Sequence, residues 1–357
     1  MKTQQSKRRR TILWLSFTII SACSDSTTKE IGAVRSTHDE RSRAARRTIR
    51  PAERRPTVVK VAAAGDIACN PRSEFFHEGH GTSVRCRARD TSDLILDGNY
   101  DAVFMLGDAQ YQRARQKNFS RSYRHSWGRF KAITWAVPGN HDYIVDPSGP
   151  GDDGRIGRAR QYFRYFGERA GPTRRGYYSF ELGDWHVVVL NSNCALLRKG
   201  DGCGRGDRQT RWLARDLQRN RAKCTLAMWH RPRLASVHGR DTDANQAFFT
   251  TFWKLLYKHK ADLILNAHIH VYERFAPETP DGTRDYESGI PRFVVGTGGN
   301  GCCRGAAPKN PAHRKAYGEV LGFLELKLYP SRYTFKFKAI DDQPAERFSD
   351  SGKRMCR

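Results

Sequence analysis

An α/β fold built from two packed sheets with helices outside is predicted by two features of this 357-residue chain. Short runs rich in Val, Ile, Leu and Ala recur at residues 58–64, 102–106, 133–137, 225–229 and 262–265, bounded by Gly, Pro or Asn. That is the pattern of buried strands. Helical stretches lie between them and further strands follow, a grouping that implies two sheets. With 38% hydrophobic residues, the length suffices for one large domain or two modest ones.

The first 22 residues stand apart. Lys2, Lys7, Arg8, Arg9 and Arg10 precede an apolar stretch at 12–20, too short for an ordinary spanning helix, and small residues lead to Cys23. This is the layout of an export signal. Ile20-Ser21-Ala22-Cys23 resembles a bacterial lipobox, which would make Cys23 the lipidated first residue; simple cleavage near Ala22 is the alternative. The expected location is the bacterial cell envelope, as a membrane-anchored lipoprotein or otherwise periplasmic or secreted. Residues 23–56 include Arg41, Arg43, Arg46, Arg47, Arg50, Arg54 and Arg55 and almost no large apolar side chains. Such a segment buries too little surface to fold alone and reads as a basic linker that anionic head groups would attract.

The folded domain is expected over 57–357. Asp90 is placed as the cap of a helix running to Leu96, and residues 119–130 read as helical. Strands at 177–182 and 185–190, split by Gly183-Asp184, form a hairpin in which His186 has a structural role. Residues 209–217 put Trp212, Leu213 and Leu217 on one helical face, and 245–257 forms a helix carrying Phe248, Phe249, Phe252, Leu255 and Leu256. After a strand at 293–295, the glycine-rich run 296–301 reads as a tight, closely packed turn; no Lys-Ser/Thr follows to make a phosphate-cradling loop. Strands at 322–328 and 332–340 close the chain.

Residues of metal-ligating type follow the apolar runs: Asp66; Asp108 with Tyr111; Asn140, His141 and Asp142; His230 with Arg231; and His268 with His270. In open α/β sheets, ligands bind beyond the carboxyl ends of the strands, where these residues would fall. Singly each signal is weak, because an Asp or Asn after a strand is more often a cap or turn residue.

In this order the motifs resemble those of binuclear metallophosphoesterases, particularly the purple acid phosphatase branch, from about Thr57 onward. The resemblance implies a four-layer α/β/β/α sandwich with its site at one edge. Carried over by motif, Asp66, Tyr111 and His270 would hold one metal ion, Asn140, His230 and His268 a second, and Asp108 would bridge the two. Many relatives have a His two residues after the first Asp; here that residue is Ala68, so the first site needs Tyr111 or stays one ligand short. Oxygen and imidazole donors suit Fe, Mn or Zn rather than Cu(I). Fe(III) is expected at the Tyr111 site, with Fe, Zn or Mn at the other. His141 would help the leaving oxygen depart, oriented by Asp142, while Arg231 would contact phosphate and His238 would either reach substrate or stand as an exposed bystander. Ala68 and Ala267 stand where the family commonly has Gly, and Arg231 where relatives often have a second His.

The activity so implied is that of an exported phosphomonoesterase using a metal-activated water. A phosphodiesterase or nuclease with the same centre, or a surface polyanion-binding protein with an idle site, are the alternatives. The net charge of +26 attracts phosphate, nucleic acid and anionic lipid with little discrimination, and no nucleic-acid module is recognisable. Besides Cys23, the cysteines are Cys69, Cys86, Cys194, Cys203, Cys224, Cys302, Cys303 and Cys356. An even number in an exported chain suggests disulfides. Cys69 with Cys86 and Cys194 with Cys203 are the local candidates. No Cys-x-x-Cys pair points to a thiolate metal centre.

Overall fold

The computed structural model describes residues 58–144, 158–197, 200–233, 241–301, 314–341 and 348–357, with backbone alone at 241–248 and 314–317. The expected export signal and linker, Cys302, Cys303 and His238 lie outside them. In chain order the strands are β1 (Val59–Ala64), β2 (Ala102–Met105), β3 (Thr134–Ala136), β4 (Tyr178–Leu182), β5 (Trp185–Val189), β6 (Cys224–Met228) and β7 (Leu263–Asn266). They continue with β8 (Tyr272–Glu278), β9 (Ile290–Val295), β10 (Arg314–Gly318), β11 (Gly322–Tyr329), β12 (Arg332–Ala339) and β13 (Ser351–Met355). The helices are α1 (Ala88–Leu96), α2 (Gln116–Arg121), α3 (Arg160–Phe166), α4 (Arg208–Arg219) and α5 (Asp241–Lys258).

Two mixed sheets result. The first has the order β13-β12-β11-β1-β2-β3 and the second β10-β8-β9-β7-β6-β5-β4. β1, β2 and β3 run parallel, as do β5, β6, β7 and β9. Alternation along β5 shows how the layers stack. Val187 and Val189 enter the core shared with Phe104 of β2, whereas Val188 and Leu190 join Leu213 and Leu217 of α4 and Phe249 and Phe252 of α5. Helices α1, α2 and α3 bury Ile95, Phe119 and Phe163 in the core of the first sheet. The architecture is therefore an α/β sandwich with helices on the outer faces.

The two sheets meet at the carboxyl ends of their parallel strands. The Gly65 N–H, just past β1, donates to the Val295 carbonyl that ends β9 (2.9 Å), and His230, past β6, reaches the Leu106 carbonyl past β2. Loops from both sheets thereby share one rim.

Three differences from the sequence reading stand out. The segment predicted as one helix at 119–130 is α2 followed by 3₁₀ turns at Tyr123–His125 and Trp127–Ile133. Asp90 lies within the first turn of α1 and pairs with Arg87 and His80 rather than capping. Strands β8, β10 and β13 have no counterpart in the apolar pattern. The cysteine pairs 69–86 and 194–203 are disulfides, and a third joins Cys224 to Cys356. Among the described residues no helix is long and apolar enough to cross a membrane.

Candidate metal centre

The loops after β1, β2, β3, β6 and β7 converge. Asp66 (φ 62°), Asp108 (φ 52°) and His268 (φ 72°) all hold left-handed backbone conformations. A non-glycine residue there costs about 1–3 kcal/mol and persists only where its surroundings enforce it. Two glycines give the room. A Cβ on Gly107, itself at φ +102°, would meet His230 Nδ1 at 2.4 Å, and one on Gly139 would meet Asp108 Oδ1 at 2.1 Å.

One half of the cluster gathers on Tyr111. Its hydroxyl lies 2.5 Å from Asp66 Oδ1, 2.8 Å from Asp108 Oδ2 and 3.0 Å from His270 Nε2. His270 Nε2 is also 3.2 Å from Asp66 Oδ1. The other half gathers on Asp108. His230 Nε2 is 3.3 Å from Asp108 Oδ2, and donor atoms of Asp108, His230 and His268 all lie within 4.8 Å of one another. The His-x-His segment serves both halves because it turns twice: Ile269 N–H bonds the Ala267 carbonyl (2.9 Å) and Val271 N–H the Ile269 carbonyl (2.7 Å). Its neighbour Ala267 packs its methyl where a Cβ on Gly65 would come within 2.6 Å, so glycine at 65 makes room for alanine at 267.

Hydrogen bonding leaves this centre short of positive charge. His230 Nδ1 donates to the Leu106 carbonyl (2.9 Å), so in the neutral ring Nε2 is a lone pair turned toward Asp108. That Nε2 and Asn140 Oδ1 are buried without a hydrogen-bond partner. Buried acceptors around two carboxylates call for a cation. The titration behaviour shows the same demand for positive charge, met by a proton on His230 where no cation takes its place. Burial alone would raise Asp108, but His230, then His141 and His268, hold it well below the usual carboxylate range. Asp66 is likewise lowered, His270 outweighing burial. Burial opposes a charged His230, yet Asp108 lifts its pKa to about 9, while burial, His230 and Arg231 push His268 down to about 3. Burial, Asp108 and Asp66 raise the Tyr111 phenol. Carboxylate, amide, phenol and imidazole donors in this arrangement fit two hard or borderline cations.

His141 stands at the side of the cluster. Its backbone N–H donates to Asp108 Oδ1 (2.8 Å) and its ring packs on Tyr111 with centroids 4.3 Å apart. Its Nδ1–H donates to the Gln112 carbonyl (2.8 Å), which leaves Nε2 as the reactive nitrogen. The expected role of Asp142 as the group orienting His141 is corrected: the Asp142 carboxylate is buried and accepts the N–H groups of Gly139 (2.9 Å) and Asp108 (3.1 Å). It clamps two loops together. Burial and the nearby Asp108 push its carboxyl well above the usual range. Arg231 is fixed by its backbone N–H to Ser192 Oγ (3.0 Å), and its charge acts on His268. Sequence reasoning missed Gln112 and also Gln110, whose buried amide donates to the Cys69 (2.8 Å) and Tyr111 (2.9 Å) carbonyls and ties the first two loops together.

The calcineurin-like phosphoesterase family profile matches residues 59–272, and the chain belongs to that family. It is 26% identical over 243 residues to purple acid phosphatase 15 of Arabidopsis thaliana, covering 59% of this chain and 42% of that protein. It is 28% identical to acid phosphatase type 7 of Homo sapiens, covering 68% of this chain and 55% of the relative. The chain thus spans about half the length of these relatives. The fold is similar to that of purple acid phosphatase PPD1 from yellow lupin (Lupinus luteus) seeds, with TM-score 0.63 and 19% identity over 84% of this chain and 54% of that one.

Proposed function

We propose that the protein is an exported phosphohydrolase with two metal ions that cleaves phosphate monoesters. The observation that carries this reading is the buried Asn140 Oδ1 without a hydrogen-bond partner, together with His230 Nε2 turned on the Asp108 carboxylate, beside the Asp66–Tyr111–Asp108 cluster. Asp66, Tyr111 and His270 would hold one cation, Asn140, His230 and His268 the other, and Asp108 would bridge. When bound, the pair supplies an activated water and neutralises phosphoryl charge. Fe(III) at the tyrosine site and Fe, Zn or Mn at the second suit the donors.

The chain's own residues do the rest. His141, held through Nδ1 by Gln112, presents Nε2 to give a proton to the departing alcohol oxygen. Arg231 adds positive charge beside His268 for the phosphoryl oxygens, and His238 is proposed as a further substrate contact. Asp108, which would bridge the two ions, also orders the backbone of His141. Export, with Cys23 lipidated, is supported by the basic-apolar start of the sequence and by three disulfides in the folded part.

Metal-loaded protein assayed against an aryl phosphate, a bis-aryl phosphate and DNA tests the reading. Monoester turnover is expected. Ready cleavage of DNA without it would establish the nuclease alternative, and binding of all three without hydrolysis would establish an idle site. For localisation, Cys23→Ser is expected to release the protein from membranes; unchanged fractionation would rule out the lipid anchor.

A further inference from the structure

We propose that the cavity beside Tyr111 and His270 receives the alcohol part of the phosphate ester and selects alcohols that carry a second anionic group. The inference rests on the phosphohydrolase reading. The cavity, of about 320 Å³, is lined by Tyr111 and His270 together with Asn70, Ser73, Phe75 and Arg85. That volume suits a small organic group rather than water alone. Gln112, whose carbonyl fixes the His141 ring, also lines it. The residue placed to protonate the leaving oxygen is therefore anchored to the wall of this cavity, and the alcohol departs beside it.

Arg85 gives the cavity its selectivity. Its guanidinium lies 4.7 Å from the centroid of the Phe75 ring, and no acidic side chain lines the cavity among the described residues. Its charge is not neutralised there. The backbone beneath it is rigid: Cys86 is bonded to Cys69, the Cys86 N–H donates to the Asn300 carbonyl (3.1 Å), and Arg85 bridges Gly301. A guanidinium held on a fixed loop and stacked on an aromatic ring meets a carboxylate or phosphate with little ordering cost. A plain alcohol would leave it facing solvent, so the cavity discriminates between substrates that share the same reacting phosphate.

The test compares phenyl phosphate with carboxyphenyl phosphate on the metal-loaded full chain. The wild type is expected to prefer the carboxylated ester. Arg85→Gln should lower kcat/KM for that ester by about ten- to a hundredfold and leave phenyl phosphate unchanged, with Arg85→Lys intermediate. Equal losses on both esters, or none, would overturn the proposal. Calorimetric binding of carboxyphenylphosphonate, which is not hydrolysed, reads the cavity without turnover. Weaker binding to Arg85→Gln supports the assignment even if no ester is cleaved, whereas equal binding to both proteins overturns it whatever the activity.

Discussion

Asn140 Oδ1 and His230 Nε2 are where single residues say most, because the first is a buried acceptor with nothing to accept from and the second is a buried imidazole nitrogen turned on a carboxylate. Replacing either by Ala should abolish phosphatase turnover and remove about one bound metal ion per chain, read by elemental analysis on protein that still unfolds cooperatively; retained metal and activity would refute the second-site assignment. His141 touches no cation in the proposed arrangement, so His141→Asn is expected to keep both ions and lose about 10²–10⁴-fold in kcat. Gly107→Ala has a different signature. The added methyl would collide with His230 Nδ1 in a backbone region that disfavours alanine, and stability should fall by about 1–3 kcal/mol in a denaturant titration. The proposed ligands were legible because each follows a buried strand, where a polar side chain is conspicuous. Gln112 was not legible, since it acts through its carbonyl and every residue has one. Asp142 was misread for a related reason: proximity in sequence to His141 suggested a contact that the turn directs instead to the Gly139 and Asp108 backbone.

Strands with an apolar run or a regular alternation announced themselves, and strands without either did not. β8 contains Glu273, Arg274, Pro277 and Glu278, so no apolar or alternating pattern marks it; its Arg274 is satisfied by a forked contact to Asp350 at 2.7 and 2.8 Å. β13 is polar and at an edge, held to the body by the disulfide between Cys356 and Cys224 of β6. Replacing both cysteines by Ser should cost about 2–5 kcal/mol, measured by denaturant unfolding; an unchanged midpoint would show that β12 alone retains β13. The hairpin of β4 and β5 is tied to α4 through His186, bonded to Glu181 (2.7 Å) and Asp216 (2.8 Å). Burial opposes its charged form, but those carboxylates outweigh burial and its pKa is raised. Its stabilising charge is therefore complete below the unfolded value of about 6.5 and disappears as pH climbs through the higher folded value. The gap in Tm between wild type and His186→Gln should shrink as pH is raised from mildly acidic to alkaline; a constant gap would contradict a charged histidine.

At the scale of the whole molecule, the two sheets matter because their carboxyl ends are brought to one rim, so that proposed ligands as far apart in sequence as Asp66 and His270 become neighbours. The sandwich was foreseeable from strand grouping and motif order. Which cavity would flank the centre was not, because the disulfide-held loop at 69–86 and the Asn300 turn that shape it come from opposite ends of the domain. The large net positive charge fits anionic substrates in general and discriminates none, so selectivity must come from local walls such as the one carrying Arg85. The most direct measurement is anomalous diffraction from crystals of the metal-loaded protein. Two peaks about 3.5–4 Å apart are predicted, one beside Asp66, Tyr111 and His270 and one beside Asn140, His230 and His268, with Asp108 between them. A single peak, or none at this rim, would contradict a dinuclear centre.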